Sequence, residues 1–277
     1  MPITRHLARL KWIPARHWFY LRNAMRVTVR VRDPVTGHRY LSVAQSFQAL
    51  QRAKELLKKE PETIDWLRRQ LRPDDVFLDV GANIGTFSIF AATQMTGSGH
   101  VYAIEPHLPT ATQLLQNIAV NKLDARASVL SIAASDVDGF APFRYKRWGE
   151  GASGSQLGVD GAPSIRDHVG TELKASARID TLIARGHMRP PNLVKIDTDG
   201  IEMQVLSGME NLLRGADRPR SLMVEVQRGG LSQQVAYLDR CGYALTTKCF
   251  TGKWLDLAKS GSSDDELEFN ALYELRP

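Results

Sequence analysis

A short glycine loop followed by a carboxylate is the part of this sequence best suited to chemistry. Asp79-Val80-Gly81-Ala82-Asn83-Ile84-Gly85 closes an apolar run, and glycines such as Gly81 and Gly85 permit a tight turn and close approach of a ligand or helix to the backbone. Glu105 ends the next apolar run, 20 residues after Gly85. At that spacing an acidic side chain accepts hydrogen bonds from ribose hydroxyls. The pattern therefore predicts that Gly81, Asn83, Gly85 and Glu105 bind an adenosine-containing cofactor.

Two features favour S-adenosylmethionine over a nicotinamide dinucleotide at this loop. The dinucleotide fingerprint has a middle glycine that makes room for a pyrophosphate at a helix N-terminus, and Ala82-Asn83 stands there instead. Asp79 is placed to pair with the α-amino group of a methionine moiety. Asp136, after the third strand, is predicted to contact the adenine amino group, with a simple turn residue as the alternative.

A second group of charged residues lies farther along the chain. Asp197 ends an apolar strand, and we expect it to accept a proton from an acceptor hydroxyl or to orient that hydroxyl; its alternative role is to cap the helix that follows. Lys195 lies inside the same strand, where an unpaired charge is costly, so it should pair with Asp197 or Glu225, as a catalytic or a structural ion pair. Asp197, Asp199 and Glu202 together offer ligands for a divalent cation, but the helix dipole alone explains Glu202, and a site without metal is favoured.

Apolar strands that alternate with helices must position these residues. Strands are predicted at 27–32, 76–80, 99–105, 127–133, 139–146, 192–197, 222–226, 243–249 and 267–275, and helices at 46–59, from Pro61, and at 85–93, 110–121, 201–213 and 231–240. The last two strands lie too close for a helical crossover, so they should pair antiparallel. The prediction is an α/β fold with a Rossmann-like class I methyltransferase sheet, mostly parallel with an antiparallel C-terminal edge hairpin. Residues 1–71 form a basic and helical N-terminal extension, and residues 72–277 form the cofactor-binding domain.

In this order, the motifs resemble those of the FkbM family of methyltransferases over about residues 72–275. The matching segments are the loop at 79–85, Glu105-Pro106 with Asn117 and Asn121, 133–139, Ser153-Gly154-Ser155-Gln156-Leu157, 178–182 and Lys195-Ile196-Asp197-Thr198-Asp199-Gly200-Ile201-Glu202. The family usually has Glu where this chain has Asp199. The resemblance implies O-methylation of a hydroxyl on a sugar or secondary metabolite, with Ser153, Ser155, Asp199 and Glu202 contacting that acceptor.

The glycine-rich stretch 148–164, which includes Ser153 and Ser155, interrupts the regular pattern. A loop of that length in a compact domain is usually functional or disordered. We expect it either to cover the acceptor or to be flexible.

The N-terminal segment carries an unbalanced positive charge. Residues 1–32 contain eight Arg or Lys residues and no acidic residue, whereas the whole chain has a net charge of +6. Such a segment suits an anionic membrane surface, nucleic acid or a solvated cover of the domain. Two cysteines and the absence of a secretory signal predict a cytoplasmic protein, with peripheral contact to the inner membrane face as an option. No oligomeric state is indicated.

Two other functions compete with small-molecule or glycan methylation. An RNA methyltransferase would use the basic segment as a clamp, but the chain has no Asn/Asp-Pro-Pro-Tyr/Phe block and no Pro-Cys nucleophile, so nucleic acid is disfavoured. A non-catalytic cofactor-binding protein would keep the pocket without transfer activity.

Overall fold

The computed structural model describes residues 17, 27–158 and 167–276. The strands are β1 (Val27–Arg32), β2 (Arg39–Ala44), β3 (Val76–Val80), β4 (His100–Ile104), β5 (Ala127–Leu130), β6 (Ala133–Ala134), β7 (Gly139–Tyr145), β8 (Gln156–Leu157), β9 (Gly170–Ala177), β10 (Leu193–Ile196), β11 (Ser221–Val226), β12 (Tyr243–Cys249) and β13 (Phe269–Leu275). The helices are α1 (Phe47–Lys54), α2 (Pro61–Gln70), α3 (Thr86–Gln94), α4 (Leu108–Val120), α5 (Ile179–Ala184), α6 (Glu202–Ser207), α7 (Glu210–Arg214), α8 (Leu231–Arg240) and α9 (Gly252–Lys259).

A seven-stranded sheet forms the centre of the protein, with the order β12-β13-β11-β10-β3-β4-β5. Strands β5, β4, β3, β10 and β11 run parallel, and β13 is antiparallel to both β11 and β12. Every residue of β3 and β10 is buried, as expected for a parallel sheet covered on both faces. The predicted α/β class I methyltransferase fold with an antiparallel C-terminal hairpin is confirmed.

A smaller sheet, of order β6-β9-β7-β8, is inserted between β5 and β10. The predicted strand at 139–146 is present as β7, but the prediction missed its partner β9, to which it pairs antiparallel over seven residue pairs. The same insertion contains the glycine-rich loop, part of which lies outside the described residues. The described part of that loop, residues 148–158, is joined to the small sheet through β8.

Two details of the predicted elements are corrected. The helix predicted at 201–213 is two helices, α6 and α7, which are separated by Gly208 and Met209. A Cβ at Gly208 would lie 2.0 Å from the carbonyl oxygen of Ser135, so glycine is required there. The link between β12 and β13 was considered too short for a helix but contains α9. The antiparallel pairing of these strands holds, although the reason given for it was wrong.

The N-terminal extension packs on the central domain through specific hydrogen bonds. Strands β1 and β2 form an antiparallel hairpin, and its second strand is held by Asn117 of α4 and by Asn121, which directly follows α4. The Asn117 carboxamide accepts from the amide of Val43 at 2.7 Å and donates to the carbonyl of Ile84 at 2.8 Å, and the Asn121 Oδ1 accepts from the amide of Leu41 at 2.9 Å. The hairpin is therefore fastened to the loop that follows β3. The division at residue 71 remains a prediction.

Most of the basic N-terminal segment, and with it the proposed membrane contact, falls outside the described residues. Within the described part of the chain, no helix combines the length and the apolar character that a membrane crossing requires. Cys241 and Cys249 are both buried and unpaired with each other.

Candidate active site

A cavity of about 250 Å³ opens at the carboxyl ends of the parallel strands. The chain runs from β3 outward through β4 and β5, and then returns to place β10 and β11 on the other side of β3. Ligands of doubly wound sheets bind at such a reversal of strand order. The cavity wall therefore collects residues that directly follow β3, β4 and β10, together with residues of the small sheet and of the N-terminal extension.

The loop after β3 forms the floor of the cavity. Gly81 has φ +79°, and a Cβ there would lie 1.8 Å from the carbonyl oxygen of Asp197, so two chain segments meet at a distance that only glycine allows. Asn83 also lines the cavity and donates its side-chain amide to the carbonyl of Ala152 at 3.1 Å. Gly85 has a different role, because it precedes α3 and packs against Leu114 rather than lining the cavity.

Glu105 supplies a fixed carboxylate on the β4 side of the cavity. Its side chain is buried, and its two oxygens accept from the amides of Asn83 at 2.9 Å and His107 at 2.8 Å. Burial raises the pKa of Glu105 to about 7, although the two amide hydrogen bonds oppose that rise. Each carboxylate oxygen has a further lone pair, which can accept a hydrogen bond from a ligand hydroxyl.

Asp79 does not line the cavity, contrary to the direct contact with a cofactor ammonium that was predicted for it. It is fully buried within β3, and one oxygen accepts from the hydroxyl of Ser88 at 2.6 Å. The other oxygen has no hydrogen-bond partner among the described residues. Burial raises the pKa of Asp79 to about 6, and the nearby Lys195 opposes that rise. Asp79 therefore belongs to the charge network beneath the cavity.

Lys195 and Asp197 form an ion pair at the end of β10. The Lys195 Nζ lies 2.7 Å from Asp197 Oδ2 and 4.0 Å from Glu60 Oε2, and 4.8 Å from the centre of the Phe87 ring. Lys195 is buried, whereas the Asp197 side chain is 30% exposed and lines the cavity. Burial by itself would raise the pKa of Asp197, but Lys195 holds it below its usual value. Asp197 is therefore an ionised carboxylate that faces the cavity.

Glu202 and Asp199 are close in sequence, but only Asp199 lines the cavity. The Glu202 carboxylate accepts from the amide and hydroxyl of Thr198 at 3.0 and 2.9 Å and from the amide of Gly200 at 3.0 Å, and it does not line the cavity. It stabilises the turn before α6, so the acceptor contact predicted for it is absent from this geometry. Asp199 does line the cavity, and its Oδ2 accepts from the amide of Gly154 at 2.7 Å.

The Gly/Ser loop, which is the described part of the glycine-rich stretch at residues 148–158, borders the cavity next to Asp199. Ser153 and Ser155 both line it, and the Gln156 side chain donates to the carbonyl of Asp199 at 2.7 Å. Together with the Gly154 amide, this bond ties the loop to the turn after β10. A covering role of the loop and acceptor binding by the serines remain predictions.

Asp136 lies outside the cavity wall. Its Oδ1 accepts from the hydroxyl of Ser135 at 3.0 Å, and its carbonyl accepts from Arg178 at 2.8 Å. Ala133 and Ala134 line the cavity in this region instead. The prediction of an adenine contact through the Asp136 side chain therefore differs from the geometry observed.

The N-terminal extension contributes three charged residues to the cavity that the sequence analysis missed, namely Arg52, Lys59 and Glu60. Arg52 is also bonded to the Gly/Ser loop, through its Nε and the carbonyl of Gly151 at 2.8 Å. Asn270 of β13 also lines the cavity, and its side-chain amide donates to Glu60 Oε2 at 3.1 Å. In the sequence, Arg52 and Lys59 have only the pattern of basic residues near a helix C-terminus, which is common without any ligand.

The wall near β11 is acidic and partly aromatic. Glu225 and Glu268 line it with Trp254 of α9, and burial together with the negative charge of Asp197 raises the pKa of Glu225 well above its usual value. Within residues 27–158 and 167–276, no three His, Cys, Asp or Glu side chains are grouped so that they could hold a metal ion. The arrangement is suited to holding hydroxyl-bearing ligands and accepting a proton.

Comparison with known proteins identifies a family to which the chain is similar. The methyltransferase FkbM domain matches residues 79–245. The hexuronic acid methyltransferase AglP of Haloferax volcanii is 28% identical over 235 residues, which cover 83% of this chain and 85% of that protein. The 31-O-demethyl-FK506 methyltransferase FkbM of Streptomyces tacrolimicus is 28% identical over 210 residues, covering 65% of this chain and 76% of that protein.

Among solved structures, the methyltransferase FkbM from Methylobacillus flagellatus KT is similar with a TM-score of 0.48 and 16% identity. The alignment covers 83% of this chain and 55% of that one.

Proposed function

The chain belongs to the FkbM family of S-adenosylmethionine-dependent methyltransferases, and we propose that it transfers the methyl group to a hydroxyl of a sugar or of a secondary metabolite. The relatives from Haloferax volcanii and Streptomyces tacrolimicus are named for a hexuronic acid and for 31-O-demethyl-FK506, which supports an acceptor of this kind. The observation that carries the proposal is the placement of Glu105 and Asp197 on one cavity, on either side of the Gly81 loop.

The residues on the β4 side fit the adenosine part of the cofactor. Glu105 is held by two backbone amides, so its carboxylate keeps one orientation without any ligand, and a carboxylate at this position can accept both hydroxyls of a ribose. Ile104, Leu157 and Phe143 supply apolar surface on the same wall. The cofactor, when bound, supplies a methyl group on a positively charged sulphur, already activated for transfer.

Asp197 is the residue placed to accept the proton. A hydroxyl that receives a methyl group must lose its proton, and Asp197 is the ionised carboxylate of the cavity that would accept it. The ion pair with Lys195 keeps Asp197 ionised and limits its orientation. Alignment of the reacting atoms provides a large part of the acceleration in such a transfer, so the positions of Asp197, Glu225 and the Gly/Ser loop around the acceptor matter as much as basicity.

A transfer assay tests this assignment. The full-length protein is incubated with cofactor carrying a labelled methyl group and a panel of sugars, uronic acids and hydroxylated macrolides, and labelled product is measured. Asp197→Asn should lower kcat by about 10²- to 10⁴-fold, the usual contribution of a general base, while the affinity for S-adenosylhomocysteine changes little. Glu210→Gln is the control, because Glu210 is exposed on α7 and pairs only with Arg214 among the contacts described. Full activity of Asp197→Asn would exclude it as the proton acceptor.

A further inference from the structure

A small recess of about 40 Å³ adjoins the cavity beside the Gly81 loop. It shares with the cavity six lining residues, Arg52, Lys59, Glu60, Gly81, Asn83 and Asp197. Thr86 and Phe87 of α3 close its other side. Glu105 lines the cavity but not the recess, so the recess lies on the other side of the Gly81 loop from Glu105. A ligand that is bound to Glu105 and lies across this loop would place its far end in the recess.

Two positive charges at this recess are not used by the described catalytic groups. Lys195 is neutralised by Asp197 and Glu60. Arg52 and Lys59 lie at the edge of the site, with Lys59 Nζ 3.5 Å from Glu60 Oε1. Both cations oppose the effect of burial on the pKa values of Asp197 and Asp199. The charges of Arg52 and Lys59 therefore stabilise the ionised forms of the carboxylates at the cavity.

The Arg52 side chain is also held in place by its contacts with the Gly/Ser loop. Its Nε donates to the carbonyl of Gly151, and α1 packs so closely on this loop that a Cβ at Gly151 would lie 3.2 Å from the amide nitrogen of Ala49. The Ser46 hydroxyl adds a bond to the carbonyl of Glu150 at 2.7 Å. With Nε held, the two terminal nitrogens of the guanidinium remain for a planar anion such as a carboxylate.

We propose that Arg52 and Lys59 of the N-terminal extension bind the α-carboxylate of the methionine part of S-adenosylmethionine. The inference rests on the proposed function, since it takes the ribose of the cofactor to be held by Glu105. A ligand fixed there and lying across Gly81 directs its amino-acid end toward β10 and the recess. The carboxylate of that end then meets the two cations, and Glu60 is the nearest buried carboxylate at the recess for its ammonium group. Asp79 is buried inside β3, and in this arrangement it does not contact the ammonium group.

Arg52 and Lys59 would also suit an anionic methyl acceptor. Binding of two cofactor-like ligands, one with the amino-acid part and one without it, distinguishes a cofactor contact from an acceptor contact. S-adenosylhomocysteine carries the amino-acid end, whereas 5′-methylthioadenosine has the same adenosine and thioether without it. Calorimetry on the full-length protein gives both dissociation constants. Arg52→Gln should weaken S-adenosylhomocysteine binding by about 10- to 100-fold, the effect of losing a hydrogen bond between charged groups, and leave 5′-methylthioadenosine binding within about twofold. Lys59→Gln should act in the same direction, with a smaller effect because Lys59 is half exposed.

Arg214→Gln is the matched control, because Arg214 is exposed and paired on α7. Equal losses for both ligands in Arg52→Gln would overturn the proposal, since the substitution would then act through the Gly/Ser loop and not through the carboxylate. Unchanged S-adenosylhomocysteine affinity in the Arg52→Gln, Lys59→Gln double variant would also overturn it, and a rise confined to the KM of an acidic acceptor would assign the cations to that acceptor. If the wild-type protein bound neither ligand, the cofactor site itself would be wrong, which is a different failure.

Discussion

Replacement of Glu105 by Gln is the most direct test of the cofactor site. Glutamine keeps the length of the side chain and one acceptor oxygen, but it replaces the second oxygen with an NH₂ group that only donates. Both oxygens of Glu105 accept from backbone amides, of Asn83 and of His107. One of these amides would therefore face the new NH₂ group, and the charge that receives the ribose hydroxyls would be lost.

The expected loss of affinity follows from these contacts. A hydrogen bond to a charged group contributes about 1.5 to 3 kcal/mol, and the variant loses one such acceptor and weakens the other. A total of about 3 kcal/mol corresponds to about a 100-fold rise in the dissociation constant of S-adenosylhomocysteine. Calorimetry at pH 8 measures it, with Glu210→Gln as the control.

The wild-type protein should also show a pH dependence that the variant lacks. Burial raises the pKa of Glu105 to about 7 in the free protein, and the ionised carboxylate is the form that accepts the ribose hydroxyls. Below pH 7 the free protein holds a proton that must leave before binding, so the affinity should fall by about tenfold per pH unit. Above pH 7 it should level off. Glu105→Gln affinity equal to that of the wild type at pH 8, or an acid-side loss of the same size in the variant, would refute the assignment.

Three further substitutions test the surrounding structure. Gly81→Ala should abolish S-adenosylhomocysteine binding, because the new Cβ would lie 1.8 Å from the carbonyl oxygen of Asp197. The control Gly186→Ala should bind normally, because Gly186 has a similar positive φ but no neighbour within 4 Å of an added Cβ. Binding by both variants would contradict this. Lys195→Met should lower the free energy of unfolding by about 3 to 5 kcal/mol, because it leaves buried carboxylates without their cation, and urea unfolding at pH 7 would show an unchanged midpoint if the ion pair were unimportant. Asn117→Ala should cost about 2 kcal/mol through its two lost hydrogen bonds and speed amide exchange in β2, and unaltered exchange there would mean that the hairpin is held by other contacts.

The sequence predicted the central sheet well because its strands carry a strong local signal. The apolar runs of β3 and β10 are bounded by glycine, proline or charged residues, and their lengths suit strands and not helices. Strand β9, in contrast, has the sequence Gly-Thr-Glu-Leu-Lys-Ala-Ser-Ala, which lacks such a run. Its strand conformation depends on pairing with β7, a partner about 30 residues earlier in the chain. Local sequence cannot report that pairing.

Among the candidate site residues, those that directly follow strands line the cavity, and their roles remain predictions. Gly81, Glu105 and Asp197 follow β3, β4 and β10, and the carboxyl ends of parallel strands lie at one edge of the sheet whatever their side chains. Asp136 was predicted from its position after a strand and Glu202 from the family resemblance, but in the structure their oxygens accept hydrogen bonds from neighbouring backbone and side-chain groups. Whether a carboxylate faces a ligand or a nearby amide depends on the turn geometry, which composition does not reveal.

The sequence by itself determined the order of the strands of the central sheet, the glycine loop, and the acid that follows it, because each depends on residue type and short-range spacing. Tertiary structure alone decided that Asp79, inside β3, is fully buried while Asp197, the residue after β10, lines the cavity. It also brought Arg52, Lys59 and Glu60 to the cavity from outside the matched domain. Contacts between residues so far apart in the chain arise only when the whole fold has packed.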